Sequence, residues 1–254
     1  MTTILEAKHV NKSYTVHQHE EHQILKDINL LLKQGEFVTI MGPSGSGKST
    51  LLYNISGMDQ VSEGSVYFAG EKISALSEKK LSKLRLNKMG FIFQHSHLLK
   101  NLNLLDNVLL SAYLAKNSSK EVIGARALRL MKQMGVDGLA SHNITQASGG
   151  QLQRISICRA LINNPDILFG DEPTGALNSS TTAEIMDILH DINAAGTTIL
   201  LVTHDVRVAA RSQRVLFMLD GKLVAERNMG KYNKQQNIRA REAALSDWLT
   251  EQGF

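Results

Sequence analysis

Residues 36–50 read EFVTIMGPSGSGKST: a short apolar run, a glycine-rich turn and a lysine-serine pair. The first six have the composition of a buried strand, and a helix beginning near Lys48 follows the turn. Gly42, Gly47, Lys48 and Ser49 satisfy the spacing G-x-x-x-x-G-K-[ST], and Ser44, Gly45, Ser46 and Thr50 complete the stretch. Glycines let backbone N–H groups turn inward around phosphates, and the next helix presents its positive end to them. Lys48 is placed to reach β- and γ-phosphates, and the Ser49 hydroxyl to ligate Mg²⁺.

The strand signal recurs on either side of this loop. ILEAKHV (4–10), SVYFA (65–69), GFIFQ (90–94), DILFG (166–170), TILLVTH (198–204) and RVLFML (214–219) are strand candidates. Helical patterns lie between them: Ile185, Ile188, Leu189 and Ile192 repeat at the spacing of one helix face. Such alternation predicts an α/β domain with a mostly parallel central sheet. Residues 106–134 contain no good strand and read as a helical insertion.

Three strand ends carry chemistry. Ile167 to Gly170 run straight into Asp171-Glu172, so both acids are expected at the carboxyl end of a buried strand beside the phosphate loop. Asp171 is expected to hold Mg²⁺ through water, and Glu172 to polarise an attacking water as general base. Gln94 closes GFIFQ, where a neutral amide reaches both the ion and that water. His204 closes TILLVTH, facing a γ-phosphate.

Composition bounds the rest. The chain has 254 residues, of which 43% are hydrophobic and 20% charged, enough for a sizeable core. Its apolar stretches, such as 108–110 and 199–202, fall far short of the roughly 20 residues that cross a bilayer. No leader pattern is visible at MTTILEAKHV, so a cytoplasmic location is expected. The single cysteine, Cys158, reads as a small core residue on a helix. Lys222, Arg227, Lys231, Lys234, Arg239 and Arg241 face only Glu226 and read as a solvated basic surface. The run does not resemble aromatic-interleaved nucleic-acid binding, so no nucleic-acid partner is expected.

Ser148-Gly149-Gly150-Gln151 precedes a helical run from Leu152 to Ile162. A serine hydroxyl, two glycine amides and a helix start make an anion site with no phosphate-binding lysine of its own. Together with the phosphate loop, Gln94, ILFGDEP and His204, in this order, the stretch resembles the ATP-binding-cassette (ABC) ATPases over residues 4–225. Ala147 stands where that family usually has leucine.

The resemblance implies a cassette domain over 1–230 with an N-terminal antiparallel β subdomain, a helical subdomain at about 95–160, and a helical tail at 231–254. It implies ATP and Mg²⁺ as cofactors, and a second copy of the chain packed head to tail, with Ser148, Gly149, Gly150 and Gln151 facing the other copy's γ-phosphate. Tyr14 corresponds to the residue that stacks on adenine. Between Tyr14 and Ile24, His17, His19 and His22 with Glu20 and Glu21 read as an exposed polar loop. PTGALN (173–178) resembles the loop that pairs two cassettes, with Asn178 in place of the usual aspartate.

GFIFQHSHLLKNLNLLDNV most resembles the macrolide-exporter, lipoprotein-release and bacitracin-resistance group. That implies an ATPase on the cytoplasmic face of the membrane, peripheral and bound to a separate integral permease. The segment after Gln94 is the expected contact, although Leu98, Leu99, Leu102, Leu104 and Leu105 also suit a helical core. Its expected work is transport or mechanotransmission, with antimicrobial peptides or lipid-linked molecules as the suggested cargo. A cell-division-type regulatory ATPase shares the same machinery, and a soluble ATPase acting on ribosomes or DNA is a third alternative. In the tail, Ile238, Leu245, Trp248 and Leu249 share one helix face, to pack on the cassette or to dock on a permease or lipid surface.

Overall fold

A computed structural model describes residues 2–16 and 20–254. The first elements are strands β1 (Thr3–Val16), β2 (Glu20–Lys33) and β3 (Phe37–Met41), then helix α1 (Lys48–Ile55). β4 (Glu63–Phe68), β5 (Glu71–Lys72), α2 (Glu78–Lys88) and β6 (Met89–Phe93) follow. Helices α3 (Leu104–Ala115), α4 (Lys120–Gln133) and α5 (Gly149–Leu161) come next. The remainder is β7 (Ile167–Asp171), α6 (Ser179–Ala194), β8 (Thr198–Val202), α7 (Val206–Ala209), β9 (Arg214–Leu219), β10 (Lys222–Asn228) and α8 (Ile238–Glu251).

Two sheets form. An antiparallel sheet has the order β2-β1-β4-β5, and a six-stranded sheet has the order β10-β9-β3-β8-β7-β6. In the larger sheet β9, β3, β8, β7 and β6 run parallel, and only β10 is reversed. Every residue of β3 and β8 is buried, as expected of parallel strands covered on both faces. Alternation along β8 divides the core: Leu200 and Val202 join the apolar cluster of α1 and the antiparallel sheet, while Ile199 and Leu201 join that of α3 to α6.

The register positions the site. Phe93 lies opposite Asp171, Asp171 opposite Val202, and Val202 opposite Ile40. The carboxyl ends of four strands therefore reach one edge together, beside the turn from β3 into α1.

Several expectations need correction. Glu20, Glu21 and His22 are strand rather than loop, with His22 opposite Tyr14; His17 and His19 lie outside the described residues. β2 is an edge strand, held by main-chain hydrogen bonds that polar side chains do not disturb. His204 and Gln94 do not close strands: β8 stops at Val202 and β6 at Phe93, and both side chains sit beyond the pleat. α5 begins at Gly149, three residues before the expected Leu152, because Ser148 caps it. The β9–β10 hairpin was not visible as apolar periodicity. Its signal is Asp220-Gly221, both at positive φ, a two-residue turn whose twist matches paired strands.

The tail packs on the cassette. Leu245 and Leu249 are buried with Met41, Val215 and Phe217, and Ile238 and Trp248 pack at the margin of that cluster. Arg241 is not the solvated cation its neighbours suggested. Its guanidinium donates to the carbonyls of Ala210, Ser212, Met229 and Gly230, a set that its planar fork can satisfy at once.

Cys158 is fully buried on α5 as expected, and burial pushes its thiol up to about 12. The native thiol should therefore stay unreactive toward a disulfide reagent at pH 8 and react only when urea unfolds the chain. An unfolded chain ionises this thiol first, so its contribution to stability is complete below about pH 9 and declines as the pH rises toward 12. Stoichiometric labelling of the folded protein at pH 8 would contradict this burial.

Candidate functional site

The phosphate loop follows from the end of β3. At Gly42 a Cβ would stand 2.1 Å from the carbonyl oxygen of Met218, so β9 passes too close for any side chain. Lys48 is buried, and its Nζ donates to the carbonyls of Gly42 and Pro43 at 2.9 and 2.8 Å. Desolvation lowers its pKa, while the charges of Glu172 and Asp171 oppose that shift. The ammonium thus waits on neutral carbonyls at the loop, from which a phosphate would draw it. Ser46 Oγ is buried with no hydrogen-bond partner among the described residues, an orphan that suits a loop built to receive an anion.

Asp171 ends β7 beside α1. Its Oδ1 accepts from Ser49 Oγ at 2.8 Å and its Oδ2 from the Tyr53 hydroxyl at 2.6 Å. Burial first, and the Asp171 hydrogen bond second, hold the Tyr53 phenol well above its ordinary range. A carboxylate and a serine hydroxyl in contact are hard oxygen donors of the kind Mg²⁺ takes.

Glu172 adopts φ 47°, a left-handed conformation that costs a non-glycine residue on the order of 1 kcal/mol. Its amide donates to the Val202 carbonyl, and that turn brings the carboxylate back over the end of β8. There Oε2 accepts from Thr203 Oγ1 at 2.8 Å, and Oε1 lies 2.8 Å from His204 Nδ1 and 3.1 Å from the His204 amide. The sequence brings Glu172 and His204 to the same edge, and the fold joins them directly. Gln94, just past β6, is held elsewhere: its side-chain amide lies against Gly175 in the loop after Glu172.

The other expected elements occupy separate positions. Tyr14, on β1, donates its hydroxyl to Asp59 Oδ2 at 2.7 Å, and Lys12 Nζ sits 4.7 Å from its ring centroid. Partial burial and then the Asp59 hydrogen bond push the phenol up to about 12, and the Thr50 side chain also reaches it. One face of the ring is thus covered by a cation, on a residue that remains 42% exposed. Ser148 and Gln151 form a reciprocal capping box: Ser148 Oγ accepts from the Gln151 amide and Gln151 Oε1 from the Ser148 amide. Part of the polarity assigned to an anion is therefore used locally, leaving the Gly149 and Gly150 amides at the helix start. A Cβ at Gly150 would meet Thr181 Cγ2 at 2.5 Å, so this glycine lets α5 approach α6. Asn178 caps α6, accepting from the Thr181 amide at 2.9 Å, a task its amide oxygen performs without the usual charge.

Three supporting residues escaped the sequence reading. Tyr53 and Thr203 hold the two acids, and buried Gln153 of α5 donates to the carbonyls of Phe93 and Pro173. Only the four-residue step from Ser49 to Tyr53 on one helix face was available as a signal.

Comparison with known proteins places this arrangement. The family model described as ABC transporter matches residues 25–175. The chain is 42% identical over 226 residues to the lipoprotein-releasing system ATP-binding protein LolD of Aquifex aeolicus, covering 89% of this chain and 98% of that one. It is 41% identical over 224 residues to the macrolide export ATP-binding/permease protein MacB of Pasteurella multocida, where it spans 34% of the relative's length. Among solved structures, the dimeric post-hydrolysis state of the ATP-binding cassette MJ0796 bound to ADP and Pi superposes with a TM-score of 0.84, at 40% identity, covering 90% of this chain and 100% of that one. MJ0796 is a protein of Methanocaldococcus jannaschii.

Thr203→Val keeps the shape but removes the hydroxyl that donates to Glu172 and accepts from the Asp205 amide at 3.0 Å. Urea denaturation should show a loss of about 1–2 kcal/mol, the cost of leaving two such groups short of a partner. A change under about 0.5 kcal/mol would mean that water replaces both bonds.

Proposed function

The chain belongs to the ABC transporter family, and we propose that it is the ATP-hydrolysing subunit of a transporter or mechanotransmission complex that works as a head-to-tail pair with a separate permease. The observation that carries this reading is the common edge of β3, β6, β7 and β8, where the phosphate loop, the Ser49–Asp171 pair and the Glu172–His204 pair lie together.

In this reading the loop amides and Lys48 hold the β- and γ-phosphates. Ser49 and Asp171 would hold Mg²⁺, with Gln94 joining them once it leaves Gly175; the ion supplies charge neutralisation on the phosphates. Glu172 orients and deprotonates the attacking water, and His204 fixes the carboxylate and faces the γ-phosphate. Ser148 and the Gly149 and Gly150 amides meet the phosphate bound by the second copy, which supplies the lysine their own helix start lacks. Supporting the pair is the cassette MJ0796, solved as a dimer at 41% identity.

The permease would engage the cleft of about 420 Å³ lined by Met58, Arg85, Phe91, His97 and Leu99, beside the segment after Gln94. Leu98 and Leu104 of that segment are core, while Leu99 is 45% exposed. Among the described residues no helix is long and apolar enough to cross a membrane, which suits a peripheral subunit on the cytoplasmic face. The cargo in this reading is an antimicrobial peptide or a lipid-linked molecule, and the relative named for lipoprotein release supports the lipid-linked one.

Glu172→Gln should abolish hydrolysis and keep ATP binding, trapping an ATP-bound dimer visible by light scattering; turnover at the parental rate would remove Glu172 from the mechanism. Ser148→Arg should keep ATP binding and lose both dimer and turnover, and unchanged dimerisation would rule out a composite site. Leu99→Glu should lower recovery of the permease from detergent-solubilised membranes about tenfold, as burying an unpaired charge in a contact demands. Equal recovery would place the contact elsewhere.

A further inference from the structure

Tyr53 stands four residues after Ser49 on α1, so both side chains share the helix face turned toward β7. Its backbone is firmly set: the Tyr53 carbonyl accepts from the amides of Met58 and Asp59 at 2.9 and 3.0 Å. From that anchor its hydroxyl donates to Asp171 Oδ2 at 2.6 Å, while Ser49 holds Oδ1.

A carboxylate held at one oxygen turns easily about its last torsion, which has no sharp staggered minima. Donors on both oxygens remove that freedom. The ring also packs against the apolar cluster beneath the antiparallel sheet, so packing and donation are separate jobs of one side chain.

We propose that Tyr53 is a positioning residue for the Mg²⁺ of the ATP site: its hydroxyl pins Asp171 Oδ2, and this keeps Oδ1 directed at the Ser49 hydroxyl and the ion. The proposal rests on the reading of Ser49 and Asp171 as the Mg²⁺ pair. Groups that orient metal-binding carboxylates commonly set metal affinity by an order of magnitude or more. Tyr53 itself touches neither nucleotide nor ion in this scheme. Its effect passes through Asp171.

The test uses Glu172→Gln protein, in which turnover is expected to be lost, and fluorescence of methylanthraniloyl-ATP with and without Tyr53→Phe. In EDTA both proteins should bind the probe alike, because the phenylalanine ring keeps the packing. With graded Mg²⁺, the half-point of the Mg²⁺-dependent signal should rise about tenfold in Tyr53→Phe. Tyr53→His, which keeps a ring donor, should recover part of that loss. An unchanged half-point would reduce Tyr53 to packing, and a lower one would show that its hydroxyl opposes the ion; either overturns the proposal. Asp171→Ala separates the two levels. If it leaves the Mg²⁺ response intact, the ion does not sit at Asp171, and the Mg²⁺ pair fails along with the role of Tyr53.

Discussion

The last residue of β7 is where the constraints on this molecule converge. Asp171 lies opposite Phe93 on one side and Val202 on the other, in parallel ladders that leave no room for slippage. Because side chains alternate along a strand, a slip of one residue would exchange the two apolar faces that hold α1 on one side and α3 to α6 on the other. The same register sets where Asp171 meets Ser49 and where Glu172 can fold back over Thr203 and His204. Core packing and site geometry are thus one requirement.

The site also has a mechanical link to the helical part of the chain. Gln153 lies on α5, the helix that Ser148 caps, and binds the backbone just before Gln94 and just after Glu172. It is 3% exposed, so breaking either bond would strand buried polar groups. Any displacement of α5 must then move Gln94, the Glu172 turn, or both. Lys48 and Glu172, meanwhile, each rest on protein partners that a phosphate or a water would have to displace.

Legibility in the sequence followed the range over which each signal acts. β3 and β9 are apolar runs, and their strands fall almost where the residues place them. The polar half of β2 carries no such signal, because its pairing with β1 is a backbone matter. Gly42, Lys48, Ser49, Asp171, Glu172 and the Ser148 stretch stand out because their chemistry demands particular residue types at fixed local spacing. Tyr53 and Thr203 do not: they meet their acids across 118 and 31 residues, and a tyrosine or threonine in a core pattern announces nothing. Arg241 was misleading for a related reason. A basic run looks solvated until the fold gathers four carbonyls around one member of it.

By itself the sequence determined the α/β class, the phosphate loop, the acids that follow a buried strand and the family they resemble, because each depends on residues close together in the chain. The tertiary structure decided how those parts engage. It placed Lys48 on the loop carbonyls, set Gln94 against Gly175 and gave Asp171 a second donor in Tyr53. The physical reason is that a hydrogen bond is satisfied by whatever the packed chain brings within about 3 Å, and only strand register and helix packing decide which group that is.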